Sequence, residues 1–483
     1  MEIIDNKLTV NMDVTDEIWR DVLEVIKGSK GINVVINGVQ ILSSMLELCQ
    51  SISSISFNNC TFLQRTEVVG TKNIIDFTMN NCKRDFLLGG ITLKKLHCRY
   101  FKFIEDKLDK ENYDYSSHIS PVIKKCFFYV CIIQSVLMPI FQSVGFSKKL
   151  ILNSSSLEDD EVISFEKCAF FDYLTITLSD FIGLTINITD CKTDSQNDFI
   201  TKSIKIQADR ETVIKYLNIN NSELSGMNLY LFNIPVKNVD INSSRVEILE
   251  LYSGSEGECS PIYNLNIKNS FINKLQLNNR NIVHPFSFEG SKFNYPPEFF
   301  GSNIPHGSSF PKKNGFISRN GDKDASYYRT LRFFMESQRN RELEGMFFSL
   351  EQESVLNKNK GIRKYLTISY LYSLLSDYGT NYTRPLYILT LSILIFTILF
   401  SLISSPKVSL SLPIDWNLIV NSLIFSLKQV LQPFSALKDM TPILDKNEPL
   451  NSVYVFLGIV NSVLSIGCIT LSGLAIRWKF KRG

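Results

Sequence analysis

The side chains best placed to do chemistry lie in the last hundred residues, inside stretches otherwise poor in charge. Asn461, Ser465, Cys468 and Ser472 recur at i, i+4, i+7 and i+11, one face of a helix. Ser422, Ser426 and Gln429 repeat that spacing on a shorter segment, and Gln432 extends it. Hydroxyls and carboxamides in an apolar helix must meet water, an ion or one another, because an amide unpaired in hydrocarbon is costly. Two uses fit: the wall of a water-filled pore, or close helix packing through small polar residues. As a pore wall the set is Ser422, Ser426, Gln429, Gln432, Asn461, Ser465 and Ser472.

Other chemistries lack their residues. His97, His118, His284 and His306 stand apart from any cysteine or acid at metal-ligand spacing. The ten cysteines are scattered, with no CxxC pair. Phosphate-binding, dinucleotide and nucleophile-elbow motifs are missing from the sequence. The acidic run Glu158–Glu161 reads as a solvated loop. The expectation is therefore no catalytic residue, no metal and no cofactor: not an enzyme.

The elements that must hold the polar stripes are membrane segments. Residues 385–405 and 452–476 carry no charge. Twenty-one helical residues rise roughly 31 Å, the thickness of a hydrocarbon core. Between them, 415–432 holds an apolar run too short to cross, with Asp415 as N-cap and Pro433 as the stop. That pattern predicts a re-entrant helix. A re-entrant backbone survives only where protein or water shelters it, so several subunits must enclose it. Arg363, Lys364 and Arg384 precede the first span, and Arg477-Trp-Lys-Phe-Lys-Arg482 follows the second. Both flanks then face the cytoplasm. Lys428 is the only charge in the short helix, and Asp439 and Asp445 are the nearest acids downstream. With no TVGYG-like filter, potassium selectivity is unsupported; a wide or weakly selective pore is expected, and an anion-permissive one stays open.

The remaining 380 or so residues read as soluble. Net charge is +3 over 483 residues with 44% hydrophobic, which excludes a polyanion-coating or disordered chain. Met1–Asp5 has neither the basic nor the apolar region of a secretory leader, so the front part is expected to be cytoplasmic with reduced, buried cysteines. Residues 33–310 carry a loose repeat: a short alternating strand, a small polar pair, then Cys or Ser. Instances include Phe57-Asn-Asn-Cys60, Met79-Asn-Asn-Cys82, Phe165-Glu-Lys-Cys168, Ile219-Asn-Asn-Ser222 and Ile267-Lys-Asn-Ser270. A period in the twenties predicts a solenoid, here a parallel β-helix with Asn at corners and the small residue turned inward. The competing architecture is a β-sandwich. The spacing breaks between Cys98 and Cys168 and again around 193–211. Residues 16–27 and 40–50 read as amphipathic helices capping the first coil, 324–356 as a helical hairpin broken near Asn340 or Gly345, and 362–376 as a further helix.

The fold class is thus mixed. A β-rich, solenoid-like domain (1–322) leads through a helical juxtamembrane linker (323–384) to a two-span channel domain (385–483).

Phe286-Ser-Phe-Glu-Gly-Ser-Lys-Phe293 resembles the last coil of bacterial pentapeptide-repeat proteins. The Tyr-Tyr-Arg helices, Ser376-Asp-Tyr-Gly379, Arg384-Pro385 and Ser426-Leu-Lys-Gln429 resemble the ion-channel module attached to such repeats. More narrowly, the architecture resembles the channel effectors of Hailong anti-phage defence systems. That resemblance implies a homotetramer of the inner membrane whose cytoplasmic domain binds a single-stranded DNA oligomer made by a partner nucleotidyltransferase. The oligomer would keep the pore closed, and its loss would arrest growth. A basic, aromatic stretch fits such a ligand: Lys83, Arg84, Lys94, Lys95, Arg99, Lys102, Lys124 and Lys125, with Phe86, Tyr100 and Phe101. A solvated solenoid face explains the same charges. The alternative function is a membrane-anchored scaffold without conductance.

Overall fold

The computed structural model describes residues 3–480 apart from 71–73, 85–90, 106–121, 136–137, 155–160, 172–173, 194–203, 209–211, 232–233, 254–260, 360, 405–415 and 433–450. Asp415, Pro433, Asp439, Asp445, Phe86, His118, Cys259 and most of the acidic run 158–161 lie outside those residues. The chain divides into two compact units, Met1–Ser318 and Arg319–Gly483.

The first unit is a β-solenoid. Ten parallel strands, from Met45–Glu47 to Asn264–Lys268, stack into one sheet. A second sheet runs through Ile32–Asn37, Ile52–Asn58, Ile74–Arg84, His97–Glu105, Phe127–Ser135 and Gly145–Ser154. Among the described pairings only Ile3–Ile4 against Lys7–Val10 is antiparallel. Parallel pairing on both faces excludes the sandwich, whose neighbours run antiparallel.

The core is built by alternation, each coil turning every second residue inward. Phe57, Phe77, Phe101, Phe128, Phe146 and Phe170 stack through successive coils with ring centroids 4.8–6.1 Å apart. The repeat motif is the corner between the sheets. Its penultimate residue adopts the left-handed conformation: Asn59, Lys125, Lys167, Asp190, Asn221, Ser243 and Asn269 all have φ near +50°. The next residue is small, and its side chain accepts the corner N–H of the preceding coil. Cys168 N–H donates to Cys191 Sγ (3.3 Å), Cys191 to Ser222 Oγ (3.1 Å), Ser222 to Ser244 Oγ (3.1 Å) and Ser244 to Ser270 Oγ (3.1 Å). Each serine hydroxyl donates in turn to the carbonyl two residues back, as Ser222 does to Asn220 at 2.8 Å. Cys or Ser at these corners pairs a buried backbone N–H that would otherwise lack a partner.

The first break in spacing is no domain break. Strands 97–105, 127–135 and 145–154 pair directly, with corners at Lys125-Cys126 and Ser143-Val144. Val144 replaces the small residue, which is why the repeat fades there. The second break holds a paired strand, Ile204–Ala208, beside residues outside the description. The described cysteines are free thiols, all buried except the half-buried Cys49. Burial pushes the Cys126 thiol up to about 12, far from thiolate chemistry.

Helix α1 (Asp16–Ile26) is capped by Thr15 and buries Trp19, Val22 and Ile26. Its Trp19 Nε1 donates to Glu47 O at 3.1 Å. The helix expected over 40–50 is instead two short strands, Gln40–Ile41 and Met45–Glu47, paired with Thr61–Phe62 and Glu67–Val69. Ladder pairing overrides the helical periodicity, and Asp16 fixes the intervening turn by accepting from Ser43 Oγ and Ser44 N.

The second unit is helical. Helices α2 (Gly321–Ser337) and α3 (Arg341–Asn357) form the expected hairpin, broken where Asn340 N-caps α3 through Leu343 N. The helix expected over 362–376 is split into α4 (Ile362–Tyr365) and α5 (Ile368–Ser376) because Thr367 caps Tyr370 N. Helices α6 (Thr383–Ser404), α7 (Trp416–Leu431) and α8 (Asn451–Phe480) follow. Two of them, α6 and α8, are long and apolar enough to cross a membrane.

Candidate functional site

Helices α6, α7 and α8 pack around Phe396, Phe400, Phe425 and Tyr454. Phe400, Phe425 and Tyr454 meet pairwise with centroids 4.8–5.1 Å apart. Beside this aromatic knot runs a polar seam. Asn461 Nδ2 donates to Ser426 Oγ (3.3 Å), Ser462 Oγ to Gln429 Oε1 (2.5 Å) and Ser426 Oγ to Ile393 O (3.3 Å). Ser472 Oγ donates to Tyr382 O at 3.4 Å.

Six of the seven residues read as a pore wall lie in this seam. Ser422, Ser426, Gln429, Asn461 and Ser465 are fully buried inside one protomer and Ser472 nearly so. In the single chain they are helix–helix contacts, the packing use of the stripe. Gln432, just past α7, is exposed.

The opposite face of α7 carries a second stripe. Asn417, Asn421, Ile424, Lys428 and Leu431 are exposed at i, i+4, i+7, i+11 and i+14, and Gln432 continues it. Outside α7 the exposed faces are mainly apolar, with Leu391, Leu394 and Ile398 on α6 and Phe456, Val463 and Ile469 on α8, interrupted by Thr390 and Thr470. The three helices are therefore inverted relative to a water-soluble bundle, with polar groups inside and large apolar groups outside.

On the solenoid, the structure gathers half of the basic stretch. Lys94 lies directly opposite Lys124 in the ladder, and Lys95 and Lys125 occupy the following left-handed corners. Coils stack about 4.8 Å apart, so these charges form a column. Sequence reading missed Lys167, exposed at a corner of the same column, and Arg65, exposed beside Thr66. Arg65, Lys94 and Lys124 line a polar cavity of about 210 Å³ together with Glu67. Glu67 pairs with Lys94 at 2.7 Å, which reduces the local field.

The other half lies elsewhere. Arg99 and Lys102 belong to strand 97–105 of the second sheet, past the corner. Lys83 and Arg84 sit on strand 74–84, opposite Thr61 and Phe62. Phe101 is fully buried and belongs to the aromatic stack, so it is no platform for a base; Tyr100 is half-buried. A signal for the column was available: corner lysines precede the inward position in Lys124-Lys125-Cys126 and Glu166-Lys167-Cys168. Compared with protein-family models, with curated proteins and with solved structures, the chain matches none of them.

Proposed function

We propose that this chain is the subunit of a ligand-gated ion channel of a bacterial inner membrane. The supporting observation is the inverted polarity of α6–α8: buried Ser422, Ser426, Gln429 and Asn461 against exposed Leu391, Leu394, Phe456 and Val463. Such a unit is suited to hydrocarbon. Among the described residues, the exposed polar face of α7, with Asn421 and Lys428, suits an aqueous path better than hydrocarbon. Helix α7, at roughly 24 Å, is too short to cross the core. Several copies, four by the resemblance, would turn this stripe toward a shared aqueous path. The wall is then the exposed face of α7, and the buried seam positions it. A ring of Lys428 favours anions over cations.

Flanking charge supports a cytoplasmic solenoid and C-terminus. The Lys94–Lys125 column with Arg65 and Lys167 suits a single-stranded oligonucleotide that holds the pore shut. Opening would depolarise the cell and stop growth, as a defence effector requires.

Reconstitution into liposomes with flux or bilayer recording tests the reading. Lys428→Glu is expected to shift the reversal potential toward cation permeation. An unchanged permeability ratio would remove α7's exposed face from the path. Intact oligomers that never conduct would leave a membrane-anchored scaffold. For the ligand, removing charge at Lys124 and Lys125 should weaken oligonucleotide binding and flatten its salt dependence. The same change at Arg99 and Lys102, on the other sheet, should do less.

A further inference from the structure

Between α3 and α6, the short helices α4 and α5 leave their large apolar side chains uncovered. Ile362, Leu366 and Ile368 are 78%, 81% and 87% exposed, and Leu371 and Leu374 more than half. Arg363 and Lys364 are interleaved with them. This composition suits neither water nor the hydrocarbon core; basic and apolar together suit the headgroup boundary of an anionic leaflet. The location agrees. Helix α5 packs against α6 and α8, at the end where α8's apolar run gives way to Arg477.

Behind this apron lies a cavity of about 460 Å³, within the range of small-molecule sites. Arg332 and Arg477 line it, with Phe348, Tyr372, Tyr378 and Leu474 as apolar and aromatic walls. Among the described lining residues the acid is Glu344, held by Arg341 at 2.8 Å. Glu351, behind Arg332, is shared with Arg329 at 2.8 Å. Positive charge is therefore left over at a mouth level with the end of a membrane span.

We propose that an anionic phospholipid is a ligand of this unit. Its phosphate enters between Arg332 and Arg477, and its acyl chains run along Leu371, Leu374 and Leu474. Helices α4 and α5 lie in the same interface. This rests on the membrane reading above.

The test uses the full chain in vesicles of phosphatidylcholine with and without phosphatidylglycerol. Phosphatidylglycerol is expected to be enriched in lipid retained by the purified protein. Arg477→Gln should lower that enrichment about fivefold, Arg477→Lys should largely restore it, and the doubly changed R332Q/R477Q should lose more. A spin label at L366C should report the headgroup–acyl boundary. Equal retention of both lipids, or a label broadened by a second copy rather than set at lipid depth, overturns the proposal. Inorganic phosphate that stabilises the protein in detergent and abolishes the lipid preference would make this a phosphate site instead. An alkaline wash separates the two readings. Protein that stays in the vesicles without headgroup preference sinks only the lipid site; protein that washes off sinks the membrane reading too.

Discussion

The two units bury the same kinds of small polar residue under opposite conditions. In the solenoid, Ser222, Ser244 and Ser270 lie inside an apolar core, and each hydroxyl both accepts a corner N–H and donates to a carbonyl. In the helical unit, Ser426, Gln429, Asn461 and Ser462 lie inside and pair with one another. The solenoid turns polar residues outward as well; α6 and α8 turn leucine, isoleucine and valine outward. Solenoid serines complete a backbone that has no other partner. Seam residues pair with each other or add a bond to a carbonyl, as Ser426 does to Ile393 O, and no helix backbone N–H depends on them because helices satisfy their own backbone. The same chemistry thus completes the backbone in one unit and joins side chains of neighbouring helices in the other.

That contrast can be broken by substitution. The largest effect is expected in the solenoid's aromatic stack, where Phe101→Ala should cost about 3–5 kcal/mol in chemical or thermal unfolding. A cost below about 1 kcal/mol would mean that the coils do not depend on the stack. Ser244→Ala should cost about 1–3 kcal/mol, because Ser222 N–H is left buried and unpaired. The matching change in the helical unit sharpens the comparison. Replacing both Ser426 and Asn461 by apolar residues removes donor and acceptor together, so stability in detergent should change by about 0.6 kcal/mol or less. A loss as large as that of Ser244→Ala would show that the seam is no mere packing contact. The smallest effect is at α1. Hydrogen bonds from Ser43 and from the Ser44 backbone lower the Asp16 pKa below its usual 3.8. A depressed carboxylate stabilises above its unfolded pKa and loses that contribution as pH falls through the folded one. Asp16→Asn should therefore flatten a slight loss of stability below about pH 4, seen by acid titration of unfolding.

Much of this was readable in the residues. The corner motif was legible because left-handed backbone favours Asn, Asp and Gly, and the adjoining N–H demands a small acceptor. The spans were legible as charge-free runs. The Val144 coil was harder, since Val stands where Cys or Ser was expected. Residues 40–50 matched a helical period by accident, and only pairing with 61–62 and 67–69 decided against it. In α7 both stripes have helical spacing, and periodicity cannot tell which face a neighbour covers. The spacing marks Ser422 and Ser426 for pore wall or packing alike and leaves Asn417 and Asn421 unmarked. Lys94 and Lys124 were adjacent only after folding, thirty residues apart in the chain yet opposite in the ladder.

The corner also sets how the solenoid surface can diverge. Its left-handed residue is followed by a buried one, while Lys125, Lys167, Asp190 and Asn269 themselves are exposed. Any residue tolerant of that conformation can stand there without disturbing the core. The column is an addressable row, one character per coil at a pitch near 4.8 Å. Charge along that row can therefore change coil by coil on an unchanged frame.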